Sequence, residues 1–212
     1  MNEGSDYMKC AVFYSGGKDS ALATYRAIKD GHVLALMITT YSDDDGHSHF
    51  HKLKEDLLKD VSESLGVPLM LVKTNTASYA DNCETTLHQA KKAGVEACVF
   101  GDIDFEHNRK WWTEKCEEAG LVPLFPLWGQ GHRETVYELI DSGFVATITT
   151  INSELLTNDF IGQRLTKELA ERIAATGADI CGENAEYHTF ISDGPIFKTP
   201  VNFTLNEWDI TK

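Results

Sequence analysis

Three short stretches of this chain carry residue types that could do chemistry. The first is unbroken: Ser15, Gly16, Gly17, Lys18, Asp19 and Ser20. Two glycines let a backbone approach an anion closely, and two hydroxyls can donate to its oxygens. Lys18 adds a full positive charge. Together these types point to phosphate binding. Asp19 cannot donate to an anion when ionised, so it either caps the helix that follows or holds Mg²⁺ beside the phosphates. The spacing excludes a Walker A loop, whose first glycine would fall at Val12 and whose Ser/Thr would fall at Asp19. The second stretch is GDIDFEHNR, where Asp102 and Asp104 either cap a helix or bind magnesium or substrate. The third is GENAEYHTFISDGPIF, in which Glu183, Glu186, His188 and Asp193 crowd beside Tyr187, Phe190 and Phe197. So many ionisable groups among aromatics suggest a shaped polar pocket, against the plainer reading of a surface hairpin.

The flanking patterns say what must position these groups. An apolar, β-compatible run over 10–14 ends at Ser15, and Leu22, Tyr25 and Ile28 follow at helical spacing, with Gly31 at the C-cap place. The glycines therefore lie in a strand-to-helix turn, where unpaired amides and the helix dipole favour an anion. Further strands are expected at 33–40, 68–73, 97–100 and 121–125. Helices are expected at 50–65, 78–93 and 105–119, with Gly66, Gly94 and Gly120 at their ends. Such alternation argues for an α/β fold with a mostly parallel, doubly wound sheet. Ligands of these sheets bind at the carboxyl ends of the strands, so 15–20, 41–46 and 101–104 could share one cleft. The rhythm changes near 126–131. A helix at 133–142, a strand at 144–151 and a helix at 162–176 then precede the polar third stretch. The expected domains are 1–128, which holds the phosphate loop, and 129–212, a small C-terminal α+β substrate-binding domain.

Several stretches read more plainly. YSDDDGHSHFH fails the EF-hand pattern and is expected to be a solvated, mobile loop. Trp111 and Trp112 are adjacent, so only one can face a core squarely, and the other is free to line a groove. GQGHRE is expected to be a linker and helix start, and Cys181 a buried structural thiol.

Composition narrows the function classes. The 212 residues carry a net charge of −14 with no dense Lys/Arg run, which disfavours bulk nucleic-acid binding. No apolar run is long enough to span a membrane, and the start MNEGSDYMKC lacks the basic-then-apolar pattern of a signal peptide. The five cysteines form no CxxC pair. These features are those expected of a cytoplasmic protein.

SGGKDS matches the pyrophosphate loop (PP-loop) of the N-type ATP pyrophosphatases. With GENAEYHTFISDGPIF at the other end and PLFPLW in the middle, the chain resembles the diphthine–ammonia ligase family. Gly182, Glu183, Glu186, Tyr187, Thr189, Phe190, Asp193, Pro195 and Phe197 carry the C-terminal match. Ala185 replaces the family's usual glycine, and His188 stands where a glutamate is common. The resemblance implies an adenine-nucleotide α-hydrolase-like domain and ATP-dependent amide formation from a carboxylate and ammonia, with AMP and pyrophosphate released. The implied cofactors are ATP and Mg²⁺, with Ser15–Ser20 on ATP and Asp19 on the metal. Lys18, Asp19, Glu183, Glu186 and His188 are the catalytic candidates, and Asp102, Asp104, Glu183, Glu186 and Tyr187 the substrate-binding ones. The carboxylate would be diphthine on an elongation factor or, in a bacterium, a small molecule near cobalamin metabolism, and a homodimer is compatible with either. A tRNA-thiolating enzyme shares the loop but would bring paired reactive cysteines and a basic face. A non-catalytic ATP-binding module would need no acidic C-terminal block.

Carboxylates beside a polyanion are unfavourable unless a metal intervenes, whereas ammonium and amines are their natural partners. Glu183, Glu186 and His188 are therefore expected on the acceptor side, where they could position or deprotonate ammonia. On a strand, Glu186 and His188 would share a face.

Overall fold

The computed structural model describes residues 7–205. Its main sheet has five parallel strands in the order β3-β2-β1-β4-β5: β1 (Lys9–Phe13), β2 (Val33–Ser42), β3 (Leu69–Thr74), β4 (Ala97–Val99) and β5 (Val122–Leu124). Helices α1 (Lys18–Lys29), α2 (Glu55–Leu65), α3 (Tyr79–Lys92) and α4 (Glu106–Glu118) make the crossovers. Alternation along β1 explains why both sheet faces need cover. Cys10 and Val12 pack with Leu22 and Leu58 on one face, while Ala11 packs with Leu87 and Cys116 on the other. The fold class expected from the strand–helix rhythm is the one observed.

A turn at 126–129 leads into α5 (His132–Asp141), β6 (Val145–Ile151), a 3₁₀ turn (Asn158–Phe160), α6 (Lys167–Ala175) and β7 (Tyr187–Asp193). Strands β6 and β7 pair antiparallel as a second sheet. Its inner residues Ile148, Phe190 and Ile191 belong to the same apolar cluster as Val12 and Leu22, so one core runs from the first sheet into the second.

Two expected helices start late. Helix α2 begins at Glu55 rather than 50, because residues 48–53 form a loop in which Lys52 has φ 55° and Ser48 exchanges hydrogen bonds with Leu53. Helix α6 begins at Lys167 rather than 162, because Thr166 caps it through its side chain (Leu169 N to Oγ1, 3.2 Å) and Arg164 bridges to Thr147.

The strand order reverses at β1, and the loops at the carboxyl ends of β1 and β4 meet there. Gly101 makes that approach possible: a Cβ there would lie 2.8 Å from Ser20 N and 2.9 Å from Asp19 C, both backbone atoms. Gly101→Ala should therefore lower unfolding free energy by about 1–3 kcal/mol in denaturant titrations, because the obstacle cannot rotate away as a side chain would.

Candidate functional site

The SGGKDS turn closes on itself. Gly16 takes φ +93°, a left-handed conformation that a side chain would strain. Ser15 N–H donates to Ser20 Oγ (3.2 Å), the two hydroxyls lie 3.1 Å apart, and Ser20 Oγ–H donates to Gly17 O (3.0 Å). Gly17 is the N-cap of α1 and no side chain caps the helix, so Asp19 is not the cap. Its carboxylate instead accepts from Lys18 Nζ at 2.8 Å.

The last quarter of the chain completes this turn. Ile191 N–H donates to Gly16 O (2.9 Å), and Lys18 N–H donates to Thr189 Oγ1 (3.1 Å). Lys18 is only 6% exposed. Its ammonium sits 2.8 Å from Asp19, 3.6 Å from Glu183 and 5.8 Å from the centre of the Tyr187 ring. Burial works against the charge of Lys18, but Asp19 and the acidic groups around it outweigh burial and hold its pKa well above the usual lysine value. Glu183 goes the other way. Burial first, and Asp19 second, push its carboxyl up to about 7. One carboxylate is thus paired with the lysine while the second stays close to its protonation midpoint at neutral pH.

Asp19, Cys181 and Glu183 bring ligand atoms within 4.8 Å of one another. The two carboxylates are the oxygen donors that Mg²⁺ takes, usually alongside phosphate oxygens. Burial pushes the Cys181 thiol up, and sulfur is not among the oxygen donors that Mg²⁺ takes.

Around the turn lies a cleft of about 800 Å³. One end is polar, with Ser15, Lys18, Asp19, Glu183, His188 and His51. The other is aromatic, with Phe13, Tyr79, Phe100, Trp111 and Trp112. Trp112 stacks on Phe100 at 4.6 Å and is buried, while Trp111 stays half-buried on the cleft wall, the division expected for adjacent tryptophans.

Not every expected residue faces this cleft. Asp102 does; burial raises its pKa, and it accepts from Asn108 Nδ2 at 3.2 Å. Asp104 does not line it, and its carboxylate lies 3.1 Å from His132 Nε2. Neither aspartate caps α4, whose N-cap is Phe105. Tyr187 lines the cleft with its ring, and its hydroxyl donates to Ile180 O (2.6 Å). Glu186 is 4% exposed and does not line the cleft. Its carboxylate accepts from the amides of Asp179 (3.1 Å) and Asn184 (2.9 Å), so it braces the loop that presents Glu183. Glu186 and His188 do not converge on one point.

The loop expected to be solvated is so only in part. Asp43, Asp44, Asp45 and Gly46 are exposed, but Ser48 and Leu53 are buried. Between them the His51 ring rests against Gly17 and meets the His188 ring edge-on at 5.0 Å. Burial lowers the pKa of both imidazoles, with the charge of Lys18 adding to it, so both are neutral near pH 7. The available signal was Leu53, one of two apolar residues in a polar run, which anchors in the core and carries His51 inward while Phe50 stays exposed.

Comparison with known proteins adds the family. The diphthamide synthase N-terminal domain matches residues 8–123, and the diphthamide synthase C-terminal domain matches residues 132–212. The chain belongs to the diphthamide synthase family. Curated relatives named diphthine–ammonia ligase include those of Rattus norvegicus (26% identical, 94% of this chain and 84% of the relative) and Homo sapiens (25%, 92% and 82%). The relative of Saccharomyces cerevisiae is 26% identical over 90% of this chain but only 34% of its own length. A solved structure described as a predicted subunit of tRNA methyltransferase from Methanocaldococcus jannaschii covers 92% of this chain and 100% of that one, at 16% identity and a TM-score of 0.49. Membership of the diphthamide synthase family makes the chain a ligase that forms C–N bonds. Ala185 adopts φ 63°, a left-handed conformation in which a glycine would carry no strain.

The raised Glu183 carboxyl gives a pH test. A folded value of about 7, above the unfolded one, means its stabilising contribution is full below about pH 4.5 and is lost as pH rises through 7. Relative to wild type, Glu183→Gln should therefore gain stability between pH 5 and pH 8, by up to about 3 kcal/mol in paired denaturant titrations. A difference that stays flat with pH would contradict the shift.

Proposed function

We propose that this protein is an ATP-dependent amide ligase that adenylates a carboxylate and lets ammonia displace AMP. The observation that carries the reading is the Gly16–Gly17 turn at the start of α1, with Lys18 buried in the wall of the cleft between Asp19 and Glu183. A carboxylate is a poor electrophile because oxide is a poor leaving group. Attack of its oxygen on the α-phosphorus forms an O–P bond, breaks the α–β bridge and releases pyrophosphate. Ammonia then attacks the acyl carbon, the bond to AMP breaks, and nitrogen loses one proton.

The residues divide these tasks by charge. Ser15, Ser20 and the amides of the 16–20 turn other than that of Lys18 bind the phosphates, and the Lys18 ammonium meets the charge that develops on the departing pyrophosphate. Asp19 would hold Mg²⁺, which when bound would supply further neutralisation of that charge. The aromatic end of the cleft, with Trp111 and Tyr79, offers a flat surface for the adenine base. On the acceptor side, a Glu183 carboxyl near its midpoint at pH 7 can orient ammonia and take its proton, and neutral His188 can assist. Residues 129–212 supply this side as a substrate-binding domain. The acid is of the diphthine type for which the curated relatives are named, and the exposed Phe50 and Phe105 at the cleft suit a side chain presented by a protein.

Incubation with Mg-ATP, ammonium and a diphthine-bearing elongation factor should yield AMP and pyrophosphate, read by ³¹P NMR; ADP and phosphate would overturn the reading. Lys18→Ala should weaken Mg-ATP binding roughly 10- to 150-fold by calorimetry, corresponding to a charge-assisted contact of about 1.5–3 kcal/mol.

A further inference from the structure

The loop that carries Glu183 is held from outside the cleft. Asp179 accepts from the amides of Cys181 (3.1 Å, Oδ1) and Glu183 (3.1 Å, Oδ2), so its carboxylate fixes the backbone on both sides of Gly182. The same carboxylate lies 2.8 Å from His132 Nδ1, and the other ring nitrogen of His132 lies 3.1 Å from Asp104. His132 is the first residue of α5, Asp104 follows β4, and Asp179 follows α6. The imidazole is thus a two-ended bridge from the β4–α4 loop to the 179–186 loop. Glu186 braces that loop at the amides of Asp179 and Asn184.

We propose that His132 is a positioning residue: its imidazolium, clamped between Asp104 and Asp179, sets the 179–186 loop so that Glu183 is presented to Lys18. The catalytic meaning of that presentation rests on the proposed function; the clamp does not. A doubly protonated ring donates to both carboxylates at once, which a neutral ring cannot do. The charged groups facing His132 are Asp104 from the β4–α4 loop and Asp179 and Glu183 from the segment after α6. Burial works against the proton, but the two aspartates outweigh it and raise the pKa above 6.5. The clamp is therefore favoured at acidic pH and loosens as pH rises through the folded value.

Amide hydrogen exchange on the ligand-free protein tests the clamp without assuming any reaction. At pH 6, His132→Gln should speed exchange at Cys181 and Glu183 about tenfold, while Phe190 and Ile191 in β7 change less than twofold. Asp104→Asn, at a half-exposed site, should speed the same two amides about threefold, and it serves if the first variant folds poorly. Wild-type protection at these amides, corrected for intrinsic rates, should fall towards the His132→Gln level with rising pH. Unchanged exchange at 181 and 183 in both variants would overturn the clamp, as would equal acceleration throughout β7. In an AMP-forming assay, kcat should fall with the KM for ATP held within about twofold. An unchanged kcat beside accelerated exchange would overturn the positioning role. Absence of AMP formation in wild type would sink the proposed function and leave the exchange result standing.

Discussion

A buried ammonium needs partners, and the placement of Lys18 follows from that need. Its side chain is almost wholly out of water, so leaving it unpaired would cost several kcal/mol. Its carboxylates come from both ends of the sequence: Asp19 beside it and Glu183 from the far end. The chain must therefore bring its last quarter back onto its first turn. The 2.9 Å bond from Ile191 N–H to Gly16 O and the 3.1 Å bond from Lys18 N–H to the Thr189 hydroxyl fix that docking through the backbone of the turn. The common apolar cluster through Val12, Leu22, Phe190 and Ile191 supplies its bulk.

Paired charges of this kind are a modest source of stability, because desolvation offsets much of the attraction. Their value lies in readiness. Burial, with Asp19 adding to it and Lys18 opposing it, holds Glu183 near its midpoint at neutral pH. Any polyanion brought beside Lys18 would compete with Asp19 for the same ammonium, so its occupancy and the protonation of Glu183 would be coupled by simple electrostatics.

Much of this architecture was legible in the sequence, and the failures have identifiable physical causes. The strand–turn–helix at 10–29 was readable because hydroxyl, glycines and cation stood in order between a short continuous apolar run and a period-3.6 run. The C-terminal block was readable as a pocket component because carboxylates crowded aromatic residues. Side-chain direction was not readable. Glu186 and Glu183 look equivalent in sequence, yet one accepts backbone amides and the other faces the cleft. Asp102 and Asp104 differ in the same way, separated by the buried Ile103. His51 was misread because loop polarity dominated the pattern and the anchoring of Leu53 is a tertiary effect.

The contact between Lys18 and Thr189 joins residues 171 positions apart. During synthesis, the five-stranded sheet can form while the chain is still being extended, but the turn at 15–20 lacks its completing strand until β7 has been made. Loops this long are slow to close, so this pairing should be among the late events of folding. Until then the glycine turn lacks its bond from Ile191 and Lys18 lacks its partner Glu183. On the proposed function, ATP would find a complete site only once the part of the chain that uses it has been made.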